Sequence, residues 1–472
     1  MKKYETLVVQ IREQIEHKIW GIGDKLPSLR KQAELSGMSL MTVLNAYQTL
    51  ESQGWITSHA RSGYFVAPQV HYTEPKVSGQ EVQSTETVDI NDFIFDILQA
   101  SKTPNIVGFG SVYPDPKLYP RTQINKSLMS AASHMPISSL LDNLPPGNEN
   151  LRHIIAQRYA AMGMNIPEQE IVITAGALEA LNLSLQAVTE PGDWVVIESP
   201  TFYGALQSLQ RHNLRALSVR THPQTGIDLE ALAKVLQSHK VKACWLMTNH
   251  QNPLGSTMPL EKKQRLIELL TEHNVYLIED DVYNELYFSG RKPMPAKAFD
   301  PRGMTLHCSS FSKSLVAGYR IGWVAAGNKA LDIQKIQLMS TLSTSAPIQL
   351  ALANYLTSRH YESHLKRLRR KLEQRKFAMW QAVRDEFPAS VEVNYSEGGY
   401  FLWVELPANL DATKLYHVAL KQNISIAPGA MFSVNNQFAH CFRLNASLEC
   451  TEPVKRAIKQ LAQMINTMLI AE

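Results

Sequence analysis

The chain has 472 residues, 44% of them hydrophobic, enough for more than one domain and for ample buried cores, which excludes an overall disordered protein. A formal charge of +4 is too mild to name a nucleic-acid, membrane or acidic partner. The four cysteines lack CxxC spacing, the fifteen histidines lack ligand spacing, and no apolar signal run follows Met1-Lys2-Lys3; no metal site, disulfide framework or membrane span is expected, and the cytoplasm is the natural setting.

In chain order, Tyr4, Leu7, Val8, Ile11, Ile15 and Ile19 recur at helical spacing. Gly21 to Gly23 interrupts the pattern, Leu26-Pro27-Ser28-Leu29-Arg30 follows, and helical periodicity resumes through Leu35. Ser39 is a good N-cap for a third helix, to about Ser52, with Val43, Ala46, Tyr47 and Leu50 on one face. Trp55-Ile56-Thr57-Ser58 and Gly63-Tyr64-Phe65-Val66 flank His59 to Ser62 as a β-hairpin. Helices followed by a hairpin predict a winged helix-turn-helix over residues 1–67. On DNA, the third helix would enter the major groove and Arg61, at the wing tip, would approach the minor groove or backbone. The candidate contacts are Arg30, Ser39, Thr42 and Arg61, with Ser28 and Asn45 behind them. Residues 1–70 hold eight Lys or Arg against six Asp or Glu, a balance of +2, so charge alone does not separate a DNA-binding module from a protein-interaction module.

Residues 68–89 are polar and interrupted, and read as a linker spanning about 25 Å as a coil. From residue 90 strands alternate with helices, predicting an α/β domain with a mainly parallel sheet over 90–345. From 346, long helical stretches lead to a strand group at Tyr400-Phe401-Leu402-Trp403-Val404, read as a small C-terminal α/β domain. The basic run Lys366, Arg367, Arg369, Arg370 and Lys371 is expected to be a solvated helix face.

Four motifs in this region carry chemistry. Ser309-Ser310-Phe311-Ser312-Lys313 with Ala317-Gly318-Tyr319-Arg320 sets one lysine among hydroxyls and a guanidinium. A fold-back at Ala317-Gly318 would bring Ser310 and Arg320 onto one phosphate, and the Lys313 amine can condense with an aldehyde such as pyridoxal 5'-phosphate. Ile171 to Leu181 reads as strand, small turn and helix start, offering the amides of Ala177 and Leu178 to an anion. Asn252, in a loop after an apolar strand, can donate to a ring oxygen, and Asp280 ends a buried strand before Tyr283, where a carboxylate can keep a pyridine nitrogen protonated. Arg443, in an apolar strand, is either a carboxylate-gripping fork or a buried ion-pair partner.

The order and spacing of these motifs resemble the class I aminotransferases of pyridoxal-phosphate fold type I, from about Asn91 to the C-terminus. The resemblance implies that Lys313 is the Schiff-base lysine, Asp280 the pyridinium partner, and Asn252 with Tyr283 the donors to the phenolate oxygen. It further implies that Ser310, Ser312 and Arg320 are phosphate ligands, Phe202 (or Tyr203) the stacking ring, and Arg443 with Asn252 the substrate side. Many relatives have Pro-Gly where this chain has Ala317-Gly318. The N-terminal region resembles the GntR winged-helix regulators through Leu-Pro-Ser-x-Arg, Thr42-Val43 followed by Ala46-Tyr47, and Ser62-Gly63-Tyr64-Phe65-Val66. Both together resemble the MocR subfamily, which implies a homodimeric DNA-binding regulator whose large domain senses pyridoxal phosphate or an amino compound. A working aminotransferase, amino acid to 2-oxo acid, with an accessory winged helix is the alternative.

Overall fold

The computed structural model describes residues 3–17, 19–59, 63–67, 81–85, 91–100, 105–135, 143–288 and 290–471, in two compact units, Met1–Pro75 and Lys76–Glu472. The first contains α1 (Lys3–Glu16), α2 (Leu29–Ser36), α3 (Leu40–Ser52), β1 (Ile56–His59) and β2 (Gly63–Val66). Leu7, Val8, Ile11 and Ile15 of α1 close a core with Val43, Ala46, Tyr47 and Leu50 of α3, as their spacing predicts. Ile19 does not join it: α1 ends at Glu16, leaving Ile19 67% exposed. Ser28 caps α2 by accepting the Lys31 N–H, and Gly37, at φ 66°, ends it in the left-handed conformation glycine tolerates. β1 and β2 pair antiparallel from Ile56↔Val66 to His59↔Gly63, and the Leu26 N–H donates to Tyr64 O at 2.9 Å. This is a winged helix-turn-helix.

The second unit runs β3 (Val82–Thr85), α4 (Asn91–Ala100), β4 (Val107–Gly108), α5 (Arg121–Ser133), α6 (Glu149–Ala161), β5 (Ile171–Thr174), α7 (Ala177–Val188), β6 (Trp194–Ser199), α8 (Tyr203–Arg211), β7 (Arg215–His222), β8 (Gly226–Ile227), α9 (Leu229–Ser238), β9 (Val241–Leu246), α10 (Leu260–Glu272), β10 (Tyr276–Asp280), β11 (Thr305–Ser310) and β12 (Gly322–Ala325). It continues with α11 (Ala330–Ser340), α12 (Ala346–Leu356), α13 (His360–Glu386), β13 (Glu392–Asn394), β14 (Phe401–Glu405), α14 (Ala412–Leu420), β15 (Ile424–Ser425), β16 (Ala427–Pro428), β17 (Cys441–Asn445) and α15 (Glu452–Ala471).

The main sheet has the order β3-β7-β6-β9-β10-β11-β12-β5, with β8 paired to β7. Strands β7, β6, β9, β10 and β11 are mutually parallel, whereas β12 runs antiparallel to both its neighbours. The parallel strands are buried almost throughout, which requires helices on both faces and explains their near-continuous apolar runs. A second sheet, β13-β14-β17-β16, forms the C-terminal layer.

Three boundaries differ from the reading by composition. Residues 82–85, assigned to the linker, form edge strand β3 against β7; their polar side chains suit an edge that is only partly buried. Helix α12, assigned to the small domain, buries Leu352, Ala353, Tyr355 and Leu356 in one core with Ile171, Ile173 and Ile155, and that core continues to Tyr361 and Leu365 of α13. Val107-Gly108, near the start of the region read as the large domain, pairs instead with β15. The basic run of α13 is a solvated face: Lys366, Arg367, Arg370 and Lys371 are exposed while Leu365, Leu368 and Leu372 are buried.

Candidate functional site

The carboxyl ends of β9, β10 and β11 face a cavity of about 220 Å³ that brings Lys313, Asp280, Asn252, Tyr283, Ser310 and Ser312 together. Arg320, Ala177, Leu178, Phe202 and Tyr203 line it too. In α/β sheets side chains converge at this end because the loops leaving the strands are free to vary. Lys313 is buried; its Nζ donates to Val112 O at 2.9 Å and sits 4.1 Å from the centre of the Tyr113 ring. Burial, aided by Arg443 and Arg320 and opposed by Asp280, brings its amine down to about 7. An amine of this kind is substantially neutral, and so nucleophilic, near neutrality.

Asp280 is pushed up to about 7 by burial and by the charge of Asp281, against the pull of Lys313. Its Oδ1 is buried without a hydrogen-bond partner. Asp281 behaves oppositely: burial alone would raise it, but the contact with His307 Nε2 at 2.9 Å and the Asn249 Nδ2 donation at 3.1 Å hold its carboxylate below the ordinary range. His307 Nδ1 in turn lies 2.7 Å from the Tyr159 hydroxyl, which accepts from Trp323 Nε1 at 2.9 Å. This buried relay ties the end of β10 to β11, β12 and α6.

At the other end of the cavity β11 and β12 fold back so that Ser310 pairs with Gly322. The left-handed residue of the connection is Arg320, at φ 51°, and its Nη2 donates to Ala175 O at 3.2 Å. Gly176 caps α7 at φ 89°, and a Cβ there would lie 2.5 Å from Arg320 Nη2. Only glycine admits both that backbone and that approach. The first-turn N–H groups of α7, at Ala177 and Leu178, have no partners within the helix and sit beside the guanidinium. Ser312 Oγ is buried and unpartnered, and the Ser310 hydroxyl accepts the Ser312 N–H at 3.4 Å. Together these groups form a cradle for an anion.

Tyr283 packs edge-on against Tyr400 and Phe401, and burial drives its phenol far above the ordinary value. The rings of Phe202 and Tyr203 both line the cavity, 4.7 Å apart and tilted by 51°. Arg443 is fully buried, with its guanidinium 4.1 Å from the Phe401 ring centre. Its Nη1 donates to Asn252 Oδ1 and its Nη2 to Gly110 O, both at 2.8 Å. Among the described residues it meets no carboxylate, which disfavours the ion-pair reading, and its Nε is unpartnered.

Several contributors carry no sequence signal. Tyr113 covers Lys313, Tyr119 donates to Ser312 O at 2.8 Å, and Asn445 donates to Ser111 O and Tyr113 O, all across large sequence separations. Away from the cavity, the pairing of Glu405 with Cys441 gathers ligand atoms of Glu405, His440 and Cys441 within 4.8 Å of one another. Burial, with the nearby charge of Glu405, pushes the Cys441 thiol well above its usual value.

In the winged unit, Arg30 and Asn45 are exposed, and Asn45 lies on the side of α3 away from the core. Ser28 and Ser39 are both spent on capping, and Ser39 Oγ also lies 2.8 Å from Thr42 Oγ1. Arg61 lies outside the described residues.

The sequence model of the bacterial regulatory proteins of the gntR family matches residues 3–66, and that of the aminotransferase class I and II family matches residues 126–461. The chain is 57% identical over 469 residues to the uncharacterized HTH-type transcriptional regulator YdcR of Escherichia coli (strain K12), covering 99% of this chain and 100% of that one. It is a MocR-type regulator of the GntR family. YjiR of the same organism, likewise an HTH-type transcriptional regulator, is 32% identical over 98% of this chain and 99% of its own. The multiple substrate aminotransferase of Thermococcus profundus superposes with a TM-score of 0.74 at 27% identity, covering 80% of this chain and 96% of that one. The Pyrococcus horikoshii kynurenine aminotransferase does so with a TM-score of 0.74 at 28% identity, covering 80% and 95%. This MocR-type chain is therefore a DNA-binding transcriptional regulator with an aminotransferase-like unit, of a fold whose members use pyridoxal phosphate. Among its described residues no helix is long and apolar enough to cross a membrane.

Proposed function

We propose that the regulator holds pyridoxal 5'-phosphate at Lys313 and that an amino compound bound beside it alters DNA binding. The supporting observation is that three buried, unpartnered polar atoms, Asp280 Oδ1, Ser312 Oγ and Asn252 Nδ2, line the cavity that contains Lys313. Such orphaned atoms are costly unless a ligand satisfies them, and their chemistry suits a pyridinium N–H, a phosphate and a ring oxygen respectively. When bound, the cofactor supplies an electron sink for an attached amino group.

The residues divide the work. Arg320, Ser310, Ser312 and the α7 amides hold the phosphate, and Asp280 holds a proton on the ring nitrogen. Asn252 and Tyr283 orient the ring oxygen while Phe202 or Tyr203 covers the ring face. The neutral Lys313 amine would hold the cofactor's aldehyde carbon, with loss of water, and once released from it would be the group placed to move a proton. Arg443 offers its fork to a carboxylate. A ligand shifts DNA binding only if it prefers one arrangement of the protein, and closure of the C-terminal layer over the cavity would provide that preference. Exposed Leu331, Leu338 and Met339 on α11, the last 86% exposed, support assembly into a homodimer.

Borohydride reduction of the cofactor-loaded protein and peptide mapping test the assignment: phosphopyridoxyl label on Lys313 is expected, and label on another lysine would overturn it. Lys313 and Asp280 line one cavity and Arg443 donates to Asn252 of the same lining, which also favours a second reading, slow transamination, that formation of a 2-oxo acid from an added amino acid would reveal.

A further inference from the structure

A second cavity, of about 230 Å³, adjoins the first and shares Leu98, Val112 and Tyr113 with it. Ile97 and Leu98 of α4 form one wall, and Ile426 with Ser425 closes another. The Arg443 guanidinium bonds lining residues of both cavities: its Nη2 donates to Gly110 O and Ser111 O of the second and its Nη1 to Asn252 Oδ1 of the first. An amino compound whose carboxylate is held by Arg443 and whose amino group faces Lys313 would have this second cavity available for its side chain.

From this we infer that the amino compound recognised is an amino acid with an uncharged, apolar side chain of branched-aliphatic or aromatic size. The inference rests on the reading of Lys313 and Arg443 given above and deepens it. Among the described residues lining the second cavity there is no Lys, Arg, His, Asp or Glu. Arg443 is already committed to the first carboxylate, and Arg320 sits against Gly176 at the phosphate end. A second carboxylate, or an ammonium, would be buried without a counter-charge, which is strongly unfavourable. The walls instead gain from apolar contact, and a missing methylene in such a pocket changes selection by about 10–200-fold. Ser425, whose Oγ accepts the Gly110 N–H at 3.4 Å, is committed to the chain that forms the wall.

The test is an equilibrium titration of the full-length, cofactor-loaded protein with alanine, leucine, phenylalanine, glutamate and lysine. It is followed by the change in cofactor absorbance and, independently, by the shift in thermal unfolding. Leucine or phenylalanine is expected to bind at least tenfold more tightly than alanine, glutamate or lysine. Leu98→Arg, which places a cation at the wall, is expected to weaken leucine and improve glutamate. Tightest binding of glutamate or lysine by the wild-type protein, or equal binding of all five, overturns the side-chain assignment while leaving cofactor attachment intact. No response to any amino acid from a protein that carries no label on Lys313 overturns the underlying reading and this inference with it.

Discussion

The amine of Lys313 sets the pH dependence of cofactor attachment. Burial and the charges of Arg443 and Arg320 bring it to about 7, so about half of it is neutral at pH 7. An ordinary lysine at pKa ~10.4 would be neutral in only about one molecule in 2,500. Because the neutral form attacks the aldehyde, the reactive fraction is about a thousandfold larger at Lys313 than at a lysine of ordinary basicity and equal access, and attachment of pyridoxal phosphate should be faster there, by less than that factor because a less basic amine is a weaker nucleophile. Its rate should rise as pH climbs toward 7 and level off above. Asp280 raises the lysine's affinity for its proton, so Asp280→Asn should move the midpoint below 7, and removal of Arg443 should move it up. The assay is stopped-flow absorbance from pH 5 to 10, with pyridoxal run in parallel to separate the titration of the reagent's phosphate, and mass spectrometry locating the label. A rate that rises tenfold per unit through pH 9, with no plateau, would refute the reasoning.

Other consequences are as definite. Gly176→Ala should lower stability by about 1–3 kcal/mol in urea unfolding and weaken the cofactor at least tenfold, because φ is 89° and the added carbon meets Arg320; unchanged values would show that the cradle tolerates a side chain. Glu285 pairs with Arg158 at 2.8 Å, Lys292 at 2.6 Å and, more distantly, Arg369 at 3.7 Å. Burial opposes its charge, but these cations hold its carboxyl at about 2. Glu285→Gln should therefore cost roughly 2–3 kcal/mol near neutral pH, less than a fully buried pair since the site is partly wet. A depressed carboxyl stabilises above its unfolded pKa and loses that contribution as pH falls, so the gap between wild type and variant should narrow from about pH 4.5 toward 2. A gap that stays constant over that window would contradict the pairing. Arg30→Ala should weaken DNA binding and lower the salt slope by about 1, measured by fluorescence anisotropy across a salt series; wild-type affinity and slope would remove Arg30 from the interface.

Much of this molecule was legible because its signals are local. Strand, turn and helix start share one short stretch around Gly176, Asp280 ends an unbroken apolar strand, and the hydroxyls flank Lys313 within a few residues. The apolar face of α3 likewise follows from spacing alone. What escaped depends on contacts between distant segments: Tyr113 over Lys313, Asn445 on the same segment, and the relay through Tyr159, His307 and Asp281. No periodicity announces a tyrosine that meets a lysine two hundred positions on. The edge strand β3 was hidden for another reason, since a partly buried polar edge has the composition of a linker. Ile19 was misplaced because helical spacing continued past the point where the hydrogen-bonded helix stops.

The central claim, that occupancy of the Lys313 cavity governs DNA binding, is tested most directly by anisotropy of the full-length protein on its own upstream DNA at fixed salt. Wild type and Lys313→Ala would be compared with pyridoxal phosphate, alone and with leucine. The account predicts that the wild-type affinity changes on adding leucine and that the Lys313→Ala affinity does not. Equal affinities in every condition, for both proteins and with the cofactor demonstrably bound to the wild type, would contradict it.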